Sequence, residues 1–214
     1  MFSTEFLKAP KNQWVTIHYI LHNKVKMMKT IFFLISTLFI VFPTTKNFKT
    51  DGVYVKNSIE LNKAIENAGP GDEIIMANGN WNDIQIRFVG YGTEKQPITL
   101  RAETDGKVLI GGKSNLKLGG EYLVVSGLFF TNGSSPSDAV IDFAINQDTV
   151  ANHSRVTNTV ILDFNKDQRN QTDLWVLFKG RYNELDHCYI AGKSNRGPTV
   201  RIDLAGNKSI KNYH

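Results

Sequence analysis

Val125-Ser126-Gly127-Leu128-Phe129-Phe130, Val156-Thr157-Asn158-Thr159-Val160-Ile161 and Leu185-Asp186-His187-Cys188-Tyr189-Ile190 are three versions of one hexapeptide. Each starts on an apolar residue, continues with a small polar one and then Gly, Asn or His, and ends on a variable position followed by two apolar residues. The intervals between them are 31 and 29 residues. A period of roughly 30 residues that holds several short strands and no helix is the signature of one coil of a parallel β-helix. In such a solenoid the third position turns a corner: Gly relieves the backbone there, and Asn or His can stack on its counterpart one coil away.

The surrounding sequence has the same texture. Short apolar runs broken by Gly, Asn and Asp, at Glu73–Met76, Ile98–Arg101, Val108–Ile110, Tyr122–Val125, Leu128–Phe130, Ala139–Phe143, Thr159–Phe164, Leu174–Phe178, Cys188–Ile190 and Thr199–Leu204, read as strands. One helix signal precedes them. Asn57 and Glu60 have capping-box spacing, Leu61, Ala64, Ile65 and Ala68 recur with helical periodicity, and Gly69-Pro70-Gly71 stops the run. A helix of about ten residues in this place caps the open end of the first coil, whose apolar interior and unpaired edge would otherwise face water. The expected fold is all-β, a right-handed parallel β-helix with a short N-terminal capping helix.

The charge separates the chain into parts. Of the net +5 carried by 214 residues, the first fifty hold seven Lys against Glu5, net +6, and residues 51–214 hold 18 bases against 19 acids, net −1. A basic tract for nucleic acid is therefore absent after residue 50. Lys24, Lys26 and Lys29 precede the apolar run Ile31–Phe42, which is long enough for the core of a signal peptide and too short for a bilayer of ~30 Å. With Met27 and Met28 as start-like residues, the expected organisation is 1–26 upstream sequence, 27–50 leader, and 51–214 the N-terminal part of a β-helix domain. The implied location is periplasmic or extracellular, with no stable membrane insertion once the leader is removed; because Pro43-Thr44-Thr45-Lys46-Asn47 has no small-x-small cleavage signature, a leader retained as an anchor is the alternative. A single cysteine, Cys188, forbids an intrachain disulfide and leaves stability to packing.

A wider set of residues resembles one family. Asn57, Glu60, Leu61 and Ala64, then Gly69-Pro70-Gly71-Asp72, Ile74, Asn78-Gly79-Asn80-Trp81, Gly92-Thr93, Pro97-Ile98-Thr99-Leu100-Arg101-Ala102, the Leu123–Phe130 coil, Asp186-His187-Cys188-Tyr189-Ile190-Ala191-Gly192-Lys193, Gly197 and Tyr213-His214 are similar to the opening of the alginate lyase and chondroitinase B family of polysaccharide lyases. The resemblance implies an acidic polysaccharide as substrate, alginate first and dermatan or chondroitin sulfate second. It implies cleavage by removal of the proton beside the uronate carboxylate and expulsion of the glycosidic oxygen. It also implies calcium, held by an Asn and a Glu-x-Glu pair, with a Lys base and an Arg that assists the leaving oxygen. No Glu-x-Glu occurs in this sequence. The family's catalytic and metal residues follow the segment that Tyr213-His214 begins, so no catalytic or metal residue is assigned here, and the chain is expected to be an inactive fragment of a longer lyase.

Three cations are candidate substrate-binding residues: Lys193 and Arg196 in the loop Lys193-Ser194-Asn195-Arg196, and Arg201 in Thr199–Asp203. For the first two the competing reading is a solvated loop. For Arg201, which alternation places on one face with Asp203, it is a surface ion pair. His187 and Cys188 point to opposite faces of a strand and read as a stacked corner His and a packed Cys rather than a nucleophile pair. Asp163, Asp167 and Arg169 read as a polar turn; Trp81, Trp175 and Tyr182 are core aromatics or sugar platforms. Two alternatives to a lyase of this family remain: a non-catalytic β-helical glycan-binding or surface protein, and a pectate-lyase-like enzyme with its calcium ligands placed elsewhere.

Overall fold

A computed structural model describes residues 52–203. The leader assignment and the Tyr213-His214 match lie outside the described residues. Within them, parallel strands stack into three sheets. The first runs β1 (Val53–Val55), β2 (Glu73–Met76), β5 (Ile98–Ala102), β8 (Leu123–Ser126), β12 (Arg155–Thr157) and β15 (Glu184–Asp186). The second runs β3 (Gly79–Asn82), β6 (Val108–Lys113), β9 (Leu128–Ser134), β13 (Val160–Leu162) and β16 (Tyr189–Ala191). In the third, β7 (Asn115–Glu121) pairs with β4 (Gln85–Tyr91), β10 (Ala139–Asp142) and β11 (Ala151–Asn152), and β10 continues to β14 (Leu174–Phe178) and β17 (Val200–Ile202). The chain visits the three sheets in turn and returns one strand further along each, which is a parallel β-helix.

The hexapeptides pair in the register that their sequences suggest. Val156 lies between Val125 and Leu185, Thr157 between Ser126 and Asp186, and Val160 between Phe129 and Tyr189. Their third positions, Gly127, Asn158 and His187, have φ of 80°, 49° and 50°, so each turns the corner in the left-handed region. Gly is required at the first of these: a Cβ on Gly127 would lie 2.3 Å from Asp105 Oδ1. The interior is a column per sheet position, with Leu100, Val125 and Val156, then Ile110, Phe130 and Ile161, then Leu116, Ile141 and Val176, all essentially without solvent contact. Each such side chain contributes about 1.5–3 kcal/mol by leaving water.

Helix α1 (Ser58–Asn67) starts where the capping box places it. Asn57 Oδ1 accepts from Glu60 N at 2.9 Å, and Glu60 Oε2 accepts from Lys56 N at 2.8 Å. Leu61 and Ile65 are its buried residues, and the helix packs on β1, β2 and β4, over the first coil. No helix among the described residues is long and apolar enough to cross a membrane.

The stacked histidine is at a different corner from the one expected. His153 is sandwiched between Tyr122 and Tyr182, with ring centroids 4.8 and 4.7 Å apart and all three residues at φ near 50°. His187 instead sits exposed with Nδ1 3.1 Å from Asp186 Oδ2. Trp81 and Trp175 are buried and cannot serve as sugar platforms, whereas Tyr182 has one ring face covered by His153 and is otherwise exposed. Cys188 is packed, as expected: its Sγ is 3.1 Å from Asp186 O, the position that the Thr159 hydroxyl takes toward Thr157 O one coil earlier. Burial pushes its thiol up, away from the thiolate that a nucleophile needs.

Candidate functional site

Two of the three predicted cations, Lys193 and Arg196, lie at one corner, where the turn from the second sheet to the third forms two stacked loops, Asn165–Asp173 and Gly192–Thr199; Arg201 lies beyond it on β17. The loops are joined by a continuous set of hydrogen bonds. Asn165 Nδ2 donates to Gly192 O (2.8 Å) and its Oδ1 accepts from Ser194 N (2.9 Å). Asn195, 7% exposed, accepts from Lys166 N at 2.6 Å and donates to Lys166 O and Gln168 O at 3.0 and 2.9 Å. Arg196 N donates to Arg169 O (3.0 Å) and Arg196 O accepts from Asp173 N (2.9 Å). Asparagine suits this work because its amide both gives and takes hydrogen bonds, so it serves two backbones at once.

Beneath the loops is a buried charge cluster. Asp173 has no solvent exposure and neither carboxylate oxygen has a hydrogen-bond partner; Lys166 Nζ lies 3.9 Å from Oδ1 while donating to Ser137 O (3.1 Å) and Thr172 O (3.0 Å). Burial pushes Asp173 up to about 6, against the pull of Lys166 and Lys193. Lys193 is half-buried, donates to Asn195 O at 2.8 Å, and is lowered by the same burial, opposed by Asp173.

The three predicted residues therefore do different things. The amine of Lys193 is used inside the corner, where it ties its own loop. Arg196 is exposed on the loop surface. Arg201 is exposed on β17 with Nη2 3.3 Å from Asp203 Oδ2, the surface ion pair that alternation anticipates. A fourth cation, Arg169, stands next to Arg196 on the outside of the corner. The sequence reads Arg169 as part of a polar turn with Asp163 and Asp167 and not as a binding residue, because Asn165–Thr172 has neither strand nor helix periodicity to show which residues share a face. Asp167, the carboxylate nearest it in sequence, is drawn to Lys113 at 3.7 Å. Two clefts lie between α1 and the first coil, lined by residues such as Tyr54, Lys63 and Ile74 in one and Glu66, Arg87 and Tyr91 in the other, and neither includes a predicted cation.

The residues described do not compose a calcium site. Among them no three His, Cys, Asp or Glu side chains converge into a group that could hold a metal ion. Hard cations take six or more oxygens, and the buried Asp173 already faces two ammonium groups.

The solenoid, its helical cap and the loop corner do not by themselves select a family, and the choice comes from comparison. The profile of the Chondroitinase B family matches residues 55–214. The chain belongs to that family. Among solved structures it is similar to the PL6 family alginate lyase AlyGC, with 45% identity and a TM-score of 0.71 over 72% of this chain and 21% of that one. The PL6 polysaccharide lyase Pedsa3628 from Pseudopedobacter saltans shares 41% identity with a TM-score of 0.66 over 71% of this chain and 34% of that one. A mannuronic acid specific family 6 lyase from human gut microbiota shares 30% identity with a TM-score of 0.65, over 71% and 36%. The chain spans between about a fifth and about a third of these relatives. No curated protein sequence matches it. Membership of the Chondroitinase B family, rather than of the pectate lyases that use the same solenoid, agrees with the resemblance carried by the sequence.

Proposed function

We propose that the protein acts on an acidic, uronate-containing polysaccharide, alginate first and dermatan or chondroitin sulfate second, as a lyase. The observation that carries this is the family match over residues 55–214, and the exposed cations of the loop corner are consistent with a polyanionic substrate. In the proposed reaction the proton on the carbon bearing the carboxylate leaves to a base, a carbon–carbon double bond forms, and the glycosidic bond to the neighbouring carbon breaks as its oxygen takes up a proton. The residues described supply binding surface and scaffold. On this proposal the base, the acid and any calcium that neutralises the uronate are held by residues other than 52–203, and the protein is exported behind the leader at residues 27–50.

The second reading is a glycan-binding protein without catalysis. The exposed cations of the loop corner would serve it equally well. Affinity electrophoresis of the chain through gels containing alginate, dermatan sulfate, pectate or a neutral glucan tests the substrate class. Retardation by alginate that is relieved by salt supports the proposal, and equal migration in all gels overturns it.

A further inference from the structure

Arg169 and Arg196 are one coil apart and joined through their backbones, Arg196 N to Arg169 O at 3.0 Å, so their side chains leave the solenoid from adjacent rungs. Both are exposed, and neither guanidinium has a carboxylate partner among the described residues. Arg101, Arg155 and Arg201 pair with Glu73, Asp186 and Asp203, and Arg87 and Arg181, which also lack a carboxylate partner among the described residues, are not joined to another unpaired arginine through the backbone as Arg169 and Arg196 are. The acids within reach are committed elsewhere: Asp173 is buried against Lys166 and Lys193, and Asp167 faces Lys113. The loops that carry the two arginines are held by Asn195 and Asn165 through five hydrogen bonds across the coil boundary or within the loop. The result is a pair of unneutralised, planar, always-charged donors on a preorganised base.

We propose that Arg169 and Arg196 together form a carboxylate-binding site that takes the uronate groups of the polysaccharide, with the Asp173, Lys166 and Asn195 cluster holding the two loops in place. This rests on the proposed substrate class and deepens it by assigning Arg169. A fork of guanidinium donors matches a planar carboxylate in a way that an ammonium does not, and two forks on adjacent rungs engage a polyanion at two points. Because both side chains are exposed and make no hydrogen bond or ion pair among the described residues, removing them is expected to leave the fold intact, which makes the site testable without loss of stability.

The test is titration of the chain with short uronate oligomers at low and moderate salt, comparing wild type with Arg169→Ala, Arg196→Ala, the double variant and Arg169→Lys. Arg181→Ala, an exposed arginine elsewhere on the solenoid, is the control. The expected result is a loss of roughly three- to tenfold for each single variant and more for the double, partial retention in Arg169→Lys, a shallower salt dependence, and an unchanged melting temperature throughout. Wild-type binding that the Arg169 and Arg196 variants leave unchanged, or that falls equally in Arg181→Ala, overturns the site while leaving the substrate class standing. Absence of uronate binding by the wild type, or equal binding of a neutral oligomer, overturns both.

Discussion

Asn195 holds the backbone of Lys166, one coil earlier, at both its N–H and its carbonyl, at 2.6 and 3.0 Å. A third bond, to Gln168 O at 2.9 Å, fixes the start of the loop that carries Arg169. One amide thereby sets the height of two successive coils at the corner where the exposed arginines stand.

Replacing it is expected to be costly. Asn195→Ala leaves the half-buried N–H and carbonyl of Lys166 without partners, while Gln168 O keeps the Gln171 N–H, and the expected loss is about 1–3 kcal/mol. Urea unfolding measures it. A loss of less than half a kcal/mol, about the size of a neutral surface change, would show that the bridge contributes nothing.

Asp173 gives the corner a pH dependence of defined sign. Its carboxyl is raised from an ordinary value near 3.8 to about 6 by burial, so the folded protein binds a proton that the unfolded chain has released between these two values. The contribution is fully present below about pH 4 and is lost as pH rises through about 6. Asp173→Asn, which cannot ionise, is expected to flatten the fall in melting temperature between pH 5 and pH 7 that the wild type shows. Parallel profiles for the two proteins would contradict this.

Asp186 acts in the opposite sense. Arg155 beside it holds its carboxyl well below the usual carboxylate range, so its contribution is present above about pH 4 and is lost on further acidification. Arg155→Met is expected to remove that part of the acid sensitivity by lowering the neutral-pH melting temperature toward the acid value, and only slightly, since the pair is at the surface. A thermal scan from pH 5 down to pH 2 reads it, and unchanged acid sensitivity would contradict the assignment.

The core column tests the coil assignment itself. Phe130 is fully buried, paired with Ile110 and Ile161 in the neighbouring coils, and edge-on to Phe164 with centroids 5.7 Å apart. Phe130→Ala is expected to cost about 3–5 kcal/mol by denaturant unfolding. A cost under 1 kcal/mol would place Phe130 outside the core.

Much of the fold was legible in the sequence because a solenoid repeats its own grammar. The three hexapeptides share a register since the same corner and the same interior positions recur each coil, and the capping box of α1 is a purely local pattern. Strand β7 was not legible. Asn115–Glu121 is not among the runs read as strands, since Gly119-Gly120 supplies no apolar side chain, whereas the structure uses both glycines for close approach: a Cβ on Gly119 would lie 2.6 Å from Ile145 Cγ1, and one on Gly120, at φ 113°, would lie 1.9 Å from Gly90 O. The site was legible only in outline. The loop Lys193–Arg196 was identified as a cationic element, but a sequence cannot show that the Lys193 amine folds back onto Asn195 O or that Arg169, 27 residues earlier, stands beside Arg196. Likewise the corner stack involves His153 rather than His187, because stacking depends on which corner places aromatic residues in successive coils.

The most direct test of the central claim is the ultraviolet absorbance of the products when the natural gene product is incubated with alginate. The account predicts a rising absorbance from unsaturated uronate ends, which only elimination creates. Cleavage that yields saturated ends alone, or tight alginate binding with no new absorbance, would contradict it.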